Sequence, residues 1–130
     1  MRVVFDTCVL VPSFLREVLL ACVLVDNVDY IVSSKILIEW SRASKSPLDR
    51  LEAEVAITQF RKIHAEAIRP DATSLAQFWL PDPNDIHILG LAVEQSANFI
   101  ITYNKKDFPN YEVQILSLIH ISEPTRQVPI

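Results

Sequence analysis

Four carboxylates stand out by their neighbours. Asp6 follows the apolar run Val3-Val4-Phe5. A carboxylate at the end of such a run is costly unless it is solvated, hydrogen-bonded or bound to a metal. Glu39 falls in the first turns of a helix that follows a second apolar run, Tyr30-Ile31-Val32. Asp85 opens the helix before the strongest strand pattern, and Asp107 lies just beyond that strand. If strands alternate with helices, all four gather at one end of a sheet. Carboxylates held close repel one another, and a divalent cation is the cheapest neutraliser. Oxygen-only ligands select Mg²⁺ or Mn²⁺ over zinc. Such an ion lowers the pKa of a bound water and clamps a phosphodiester during in-line attack.

Each position also has a plain structural reading. Asp85 could cap its helix and favour the dipole. Asp107 could be a turn residue, Glu39 a solvated helix residue, and Asp82 the residue that shapes the turn between Pro81 and Pro83. His64 and His87 read as helix-surface or core-edge residues, because neither has a second His or Cys at ligand spacing. Trp40 and Trp79 read as packing residues. Lys105-Lys106 reads as a solvated turn, although Lys105 beside Asp107 could touch a phosphate.

The elements that must position these groups follow from periodicity. Val3–Phe5, Tyr30–Val32 and Asn98–Tyr103 are short β-branched or aromatic runs of the kind that suits buried parallel strands, and Val113–Ile115 begins a last one. Leu15, Leu19, Cys22 and Val23 recur at helical spacing after Pro12-Ser13, and the helix stops at Asp26-Asn27. Ser33 and Ser34 are N-cap candidates for a helix carrying Ile36, Leu37 and Trp40. Pro47 starts a longer helix. Its expected inner face holds Leu51, Val55, Ile63 and Ala67, with Ile57, Phe60 and His64 beside it, and Pro70-Asp71 ends it. A final helix carries Ile88, Leu89, Ala92 and Val93. Alternating strands and helices imply an α/β fold with a central parallel sheet covered on both faces, and ligand groups beyond the carboxyl ends of the strands.

Composition narrows the function. Gly90 is the single glycine among 130 residues, so a glycine-rich phosphate loop or dinucleotide fingerprint is excluded. The net charge of −4 disfavours a basic, charge-driven DNA binder, though carboxylates gathered around a metal would enter that sum. Cys8 and Cys22 form neither a zinc pattern nor a disulfide framework. Apolar stretches such as Val18–Val25 fall far short of the ~20 residues that span a bilayer. No membrane association and a reduced, cytoplasmic location are the expectation.

Leu116–Arg126 reads LSLIHISEPTR, which resembles the translation of a transposase adapter used to prepare sequencing libraries. Gln127–Ile130 reads as a sample index running into further adapter. The expected domain is therefore 1–115, cut short at its C-terminus, with 116–130 as adapter read-through that has no selected packing partner.

Three stretches together resemble the PIN-domain ribonucleases, and most closely those that act as toxins of bacterial toxin–antitoxin pairs. RVVFDTCVLVPSFLREVLL resembles the opening strand, acidic residue and first helix. SSKILIEW resembles the segment with the family glutamate. LPDPNDIHILGLAVEQSANFIITYNKKDFP resembles the acidic helix start, the strand ending in Thr and the N-x-x-D-F-P turn. The likeness covers roughly residues 2–115 and implies a three-layer α/β/α domain. It places Asp6, Glu39, Asp85 and Asp107 at the catalytic metal positions, Asn104 as a neighbouring polar ligand, and Thr7 and Thr102 as supporting donors. It further implies Mg²⁺ or Mn²⁺ as cofactor, RNA as substrate, a cognate antitoxin as inhibitor and a homodimer as an assembly. Two positions depart from the pattern. Cys8 stands where many members have Asn, and Asn84 where many have Asp. The family also usually continues into a final helix, where this chain has the adapter-like tail.

The rival readings are weaker. A haloacid-dehalogenase site needs a second Asp two residues after the first, where this chain has Cys8. A receiver module needs a phosphorylatable Asp after its third strand, and none lies between Gln59 and Arg69. A catalytically inactive PIN-fold module that binds RNA or protein is the remaining alternative, and the intact acidic quartet argues against it.

Overall fold

A computed structural model of the chain describes residues 1–73, 80 and 82–102, and the backbone of 127–129. The first strand, β1 (Arg2–Phe5), leads into a short helix, α1 (Thr7–Leu10), and then α2 (Ser13–Val25). Asn27, at φ 55°, makes the left-handed turn into β2 (Asp29–Ser33). Next come α3 (Ser34–Arg42), α4 (Pro47–Ile63), a 3-10 turn over Ala65–Ala67 and β3 (Ile68–Arg69). A second 3-10 turn, Pro83–Asp85, runs into α5 (Ile86–Glu94), followed by β4 (Phe99–Ile101) and β5 (Gln127–Pro129).

The sheet order is β3-β2-β1-β4-β5. The first four strands are parallel, and β5 pairs antiparallel with β4 at the edge. Successive strand residues point to opposite faces. Val3, Val4 and Phe5 are all buried, so both faces of β1 are covered. This is the expected α/β architecture with helices layered on a parallel sheet. At the opposite end from the carboxylates, Asn98 Oδ1 accepts from the Arg2 backbone N–H at 2.9 Å, and its own N–H donates to Arg2 O at 2.8 Å. That reciprocal pair fixes the register of β4 against β1.

Local chemistry explains the helix starts. Ser33 caps α3 by accepting from the Ile36 N–H at 3.3 Å. Ser46 caps α4 by accepting from the Asp49 N–H at 3.1 Å, with Pro47 in the first turn where no donor is needed. Ile36, Leu37 and Trp40 are buried, as expected of α3.

Several expectations are corrected. α4 buries Ile57 and Phe60, with Ala53 and Ala56 partly covered, whereas Leu51, Val55 and Ile63 are exposed. The helix ends at Ile63 rather than at Pro70, and Ala67 is buried from the 3-10 turn that follows. On α2, Cys22 is exposed and Leu20 and Val23 are buried, with Leu15 and Leu19 at the margin. β3 was not anticipated; it pairs through Val32↔Ile68 and Ser33↔Arg69. Gln127–Pro129, in the stretch expected to have no selected packing partner, pairs antiparallel with Phe99–Ile101. Val113–Ile115 and Trp79 lie outside the described residues.

Candidate active site

The chain runs outward from β1 to β2 and β3, then returns past β1 to lay down β4. The direction of winding reverses between β1 and β4. In open α/β sheets the crevice beyond the carboxyl ends of two such strands is where ligands bind. Asp6 is the first residue after β1 and Thr102 the first after β4. Both stand at that crevice.

Asp6 is 6% exposed. Its backbone N–H donates to Ile101 O at 3.0 Å, which ties it to the end of β4. It occupies the N-cap position of α1 but makes no side-chain cap hydrogen bond. The carboxylate is held from the other side. Thr102 Oγ1 donates to Oδ2 at 2.8 Å and Cys8 Sγ donates to the same oxygen at 3.3 Å. The thiol and the Thr102 hydroxyl are also 3.5 Å apart. Oδ1 receives no hydrogen bond among the described residues.

Glu39 is brought to the same end of the sheet by α1 and α3. Thr7, the residue after Asp6, donates from Oγ1 to Glu39 Oε1 at 3.2 Å. The Glu39 side chain is 31% exposed, so it is not the fully solvated residue of the plain reading. The same Oε1 lies 2.8 Å from His87 Nε2. That contact is at hydrogen-bond distance, but the ring N–H is not in line with the oxygen, and neither ring nitrogen has an aligned partner among the described residues. His87 is 3% exposed. It is therefore not the surface or core-edge residue expected from the sequence.

Asp85 is half-buried at the junction of the Pro83–Asp85 turn with α5, two residues before His87. It stands at the N-cap position of α5 without a side-chain cap hydrogen bond, so capping does not account for it. Asp82 does shape the turn, as expected, by accepting from the Asn84 N–H at 2.9 Å.

The structure thus joins Asp6, Cys8 and Thr102 in one hydrogen-bonded group and Thr7 and Glu39 in another, linked through the backbone of Asp6-Thr7, with His87 Nε2 close to Glu39 Oε1. Asp85 sits on the helix that carries His87. Asp107, Asn104 and Lys105 lie outside the described residues. Among the described residues, no three His, Cys, Asp or Glu side chains are grouped so as to hold a metal ion by themselves.

A model of the PIN domain matches residues 2–106. The chain belongs to the PIN-domain family. PIN domains are typically nucleases that use divalent metals, and Asp6 and Glu39 of this PIN domain stand at the sheet end where its topology opens a crevice. No curated protein and no solved structure matches the chain. No helix among the described residues is long and apolar enough to cross a membrane.

The donor set suits a hard cation. Asp6 and Glu39 each have one oxygen engaged by protein donors and the other without a hydrogen bond among the described residues. Carboxylate oxygens fixed in this way are what Mg²⁺ and Mn²⁺ take. Sequence reasoning did not anticipate His87. Its one signal was position: a single polar residue in the run Ile86–Ala92, two residues after a candidate ligand.

Proposed function

We propose that this PIN domain is a metal-dependent endoribonuclease, and that it acts as the toxin of a type II toxin–antitoxin pair. The observation that carries the nuclease reading is the state of Asp6. It is a buried carboxylate at the crevice between β1 and β4, with Oδ2 held by two protein donors and Oδ1 left for a ligand. Keeping a charge there without use would be costly.

In this reading Asp6, Glu39, Asp85 and Asp107 hold Mg²⁺ or Mn²⁺ and are the catalytic carboxylates. A bound cation of this kind supplies a more acidic water and charge stabilisation at the scissile phosphate. The protein's own share is orientation. Thr102 and Cys8 fix Asp6, and Thr7 fixes Glu39, so little reorganisation accompanies attack. By the family resemblance Asn104 is a further polar ligand, and in this reading Lys105 is the cation offered to the RNA phosphate.

The toxin assignment rests on the resemblance of the three sequence stretches. With it come a cognate antitoxin, a homodimer and a cytoplasmic setting. The alternative is an inactive RNA- or protein-binding module; among the described residues the carboxylates form no three-ligand group. The proposed site needs Asp107 to complete it.

Incubating the purified protein with RNA separates these readings. Cleavage should require Mg²⁺ or Mn²⁺, stop with chelator and vanish in Asp6→Asn, which keeps the shape of the side chain but loses its charge. Full cleavage by Asp6→Asn would overturn the site assignment. RNA binding without cleavage under every metal condition would establish the inactive module.

A further inference from the structure

We infer that His87 is a positioning residue for Glu39: its Nε2–H holds Oε1 of that carboxylate and leaves Oε2 as the oxygen available to a metal. The inference rests on the metal-nuclease reading and adds to it a residue that the acidic quartet does not include.

Four observations converge on it. His87 is 3% exposed, deep enough that an unpaired polar atom is expensive. Both ring nitrogens are buried without an aligned partner among the described residues. Nε2 is nevertheless only 2.8 Å from Glu39 Oε1. Thr7 Oγ1 donates to that same oxygen from the other element, at 3.2 Å. Oε1 therefore faces two donor groups, one from α1 and one from α5. A modest rotation about the ring torsion, which is broad for histidine, would bring the N–H into line.

The surroundings argue against simple packing. α5 fills its buried surface with Ile88, Leu89, Leu91 and Ala92, all at or below 1% exposed. A histidine in that company adds polar atoms that an aliphatic side chain would not. Glu39 reaches it from α3, so the contact also joins the helix that follows Asp85 to the element that carries Glu39. Groups that orient metal-binding side chains are worth roughly 10–100-fold in metal affinity or activity.

The test compares Mn²⁺ affinity, measured by electron paramagnetic resonance, and melting temperature for wild type, His87→Leu, His87→Gln and Asp6→Asn. His87→Leu keeps the bulk and removes the donor. It should bind Mn²⁺ about 10–100-fold more weakly while still melting cooperatively. His87→Gln places an amide N–H near the Nε2 position and should recover most of the affinity. In a Glu39→Gln background, His87→Leu should add no further loss, because both changes remove one interaction. Wild-type affinity in folded His87→Leu, or equal loss in His87→Gln and His87→Leu, would overturn the inference. Unchanged Mn²⁺ binding in Asp6→Asn would instead overturn the metal reading itself. Should the His87 variants not fold, the ring protonation seen in ¹⁵N spectra of the wild type decides. A proton on Nε2 supports the inference, and a ring protonated at Nδ1 alone refutes it.

Discussion

Thr102 Oγ1 donates to Asp6 Oδ2 at 2.8 Å, across the gap between the ends of β4 and β1 and between residues 96 apart in sequence. The bond closes the crevice at its base. It also commits one oxygen of the buried carboxylate and fixes the direction of the other. Thr102→Val removes the donor at nearly constant volume. Metal affinity and cleavage should fall by roughly 10–100-fold, and stability by about 1.5–3 kcal/mol if the hydrogen bond behaves as others to charged groups do. Thr102→Ser should retain most of both. A loss in Thr102→Ser that matches or exceeds the loss in Thr102→Val, by metal titration and urea unfolding, would show that the hydroxyl alone does not carry the effect.

Trp40 ties α3 to its neighbours. It is 1% exposed, meets Phe60 of α4 edge-on with centroids 6.1 Å apart, and carries the Arg16 guanidinium 4.9 Å above its ring. Glu39 is the residue before it, so packing at Trp40 sets where Glu39 stands. Trp40→Ala should cost about 3–5 kcal/mol, and Trp40→Phe clearly less, both read from urea midpoints. A loss below about 1 kcal/mol for the alanine variant would mean that α3 is held mainly by other contacts.

How far the sequence foretold this arrangement depends on the range of the interactions. β1, β2 and β4 were legible because each is a continuous apolar run, and the cap of α3 was legible because Ser33 acts on a residue three positions away; the Ser46 cap of α4 was not read, only the Pro47 start. The inner face of α4 was misread for a tertiary reason. Ala53 and Ala56 pack toward the core while the larger Leu51 and Val55 face outward, and small residues carry little weight in a periodicity argument. β3 has two residues and takes its form from β2, so it has no period to find. The positions of Asp6 and Glu39 at one sheet end were anticipated. Of their partners, Thr7 and Thr102 came as supporting donors with the family resemblance, whereas Cys8 and His87 did not, and the His87 contact joins α5 to α3. Within α5 the one trace of His87 is its place as the single polar residue of Ile86–Ala92, and its contact with Glu39 of α3 leaves no local pattern.

The Tyr30–His64 pair gives a pH prediction. Tyr30 Oη is hydrogen-bonded to His64 Nδ1. Burial lowers the His64 pKa below its ordinary value, against a smaller opposing effect of Glu17. Burial, helped by Glu66, raises that of Tyr30. With the folded-state pKa of His64 depressed, the unfolded chain binds the extra proton first as pH falls. The stabilisation is therefore complete above the unfolded value of about 6.5 and is lost as pH drops through the folded pKa. For Tyr30 the sign reverses, and stability is lost as pH rises above about 10. Melting temperature should fall between pH 7 and 5 in the wild type, and less steeply in His64→Phe. Parallel curves for the two proteins would remove His64 as the cause.

The last prediction concerns residues 116–130. Gln127–Pro129 adds a three-residue antiparallel strand to β4 through Phe99↔Pro129, Ile100↔Val128 and Ile101↔Gln127. Such an edge is an open template, and almost any extended segment can pair there. Ile100, the buried residue of β4, is also covered from elsewhere, since β4 pairs with β1 on its other side and α5 packs on both strands. If 116–130 is adapter read-through, β5 fills an edge that it was not selected to fill. Deleting Ser117–Ile130 should then cost no more than about 1 kcal/mol, near the net worth of a single hydrogen bond. Cooperative unfolding should survive, and so should Mn²⁺ binding. The idea fails if the shortened chain loses its cooperative transition, or if the uninterrupted gene from the source encodes the same fifteen residues.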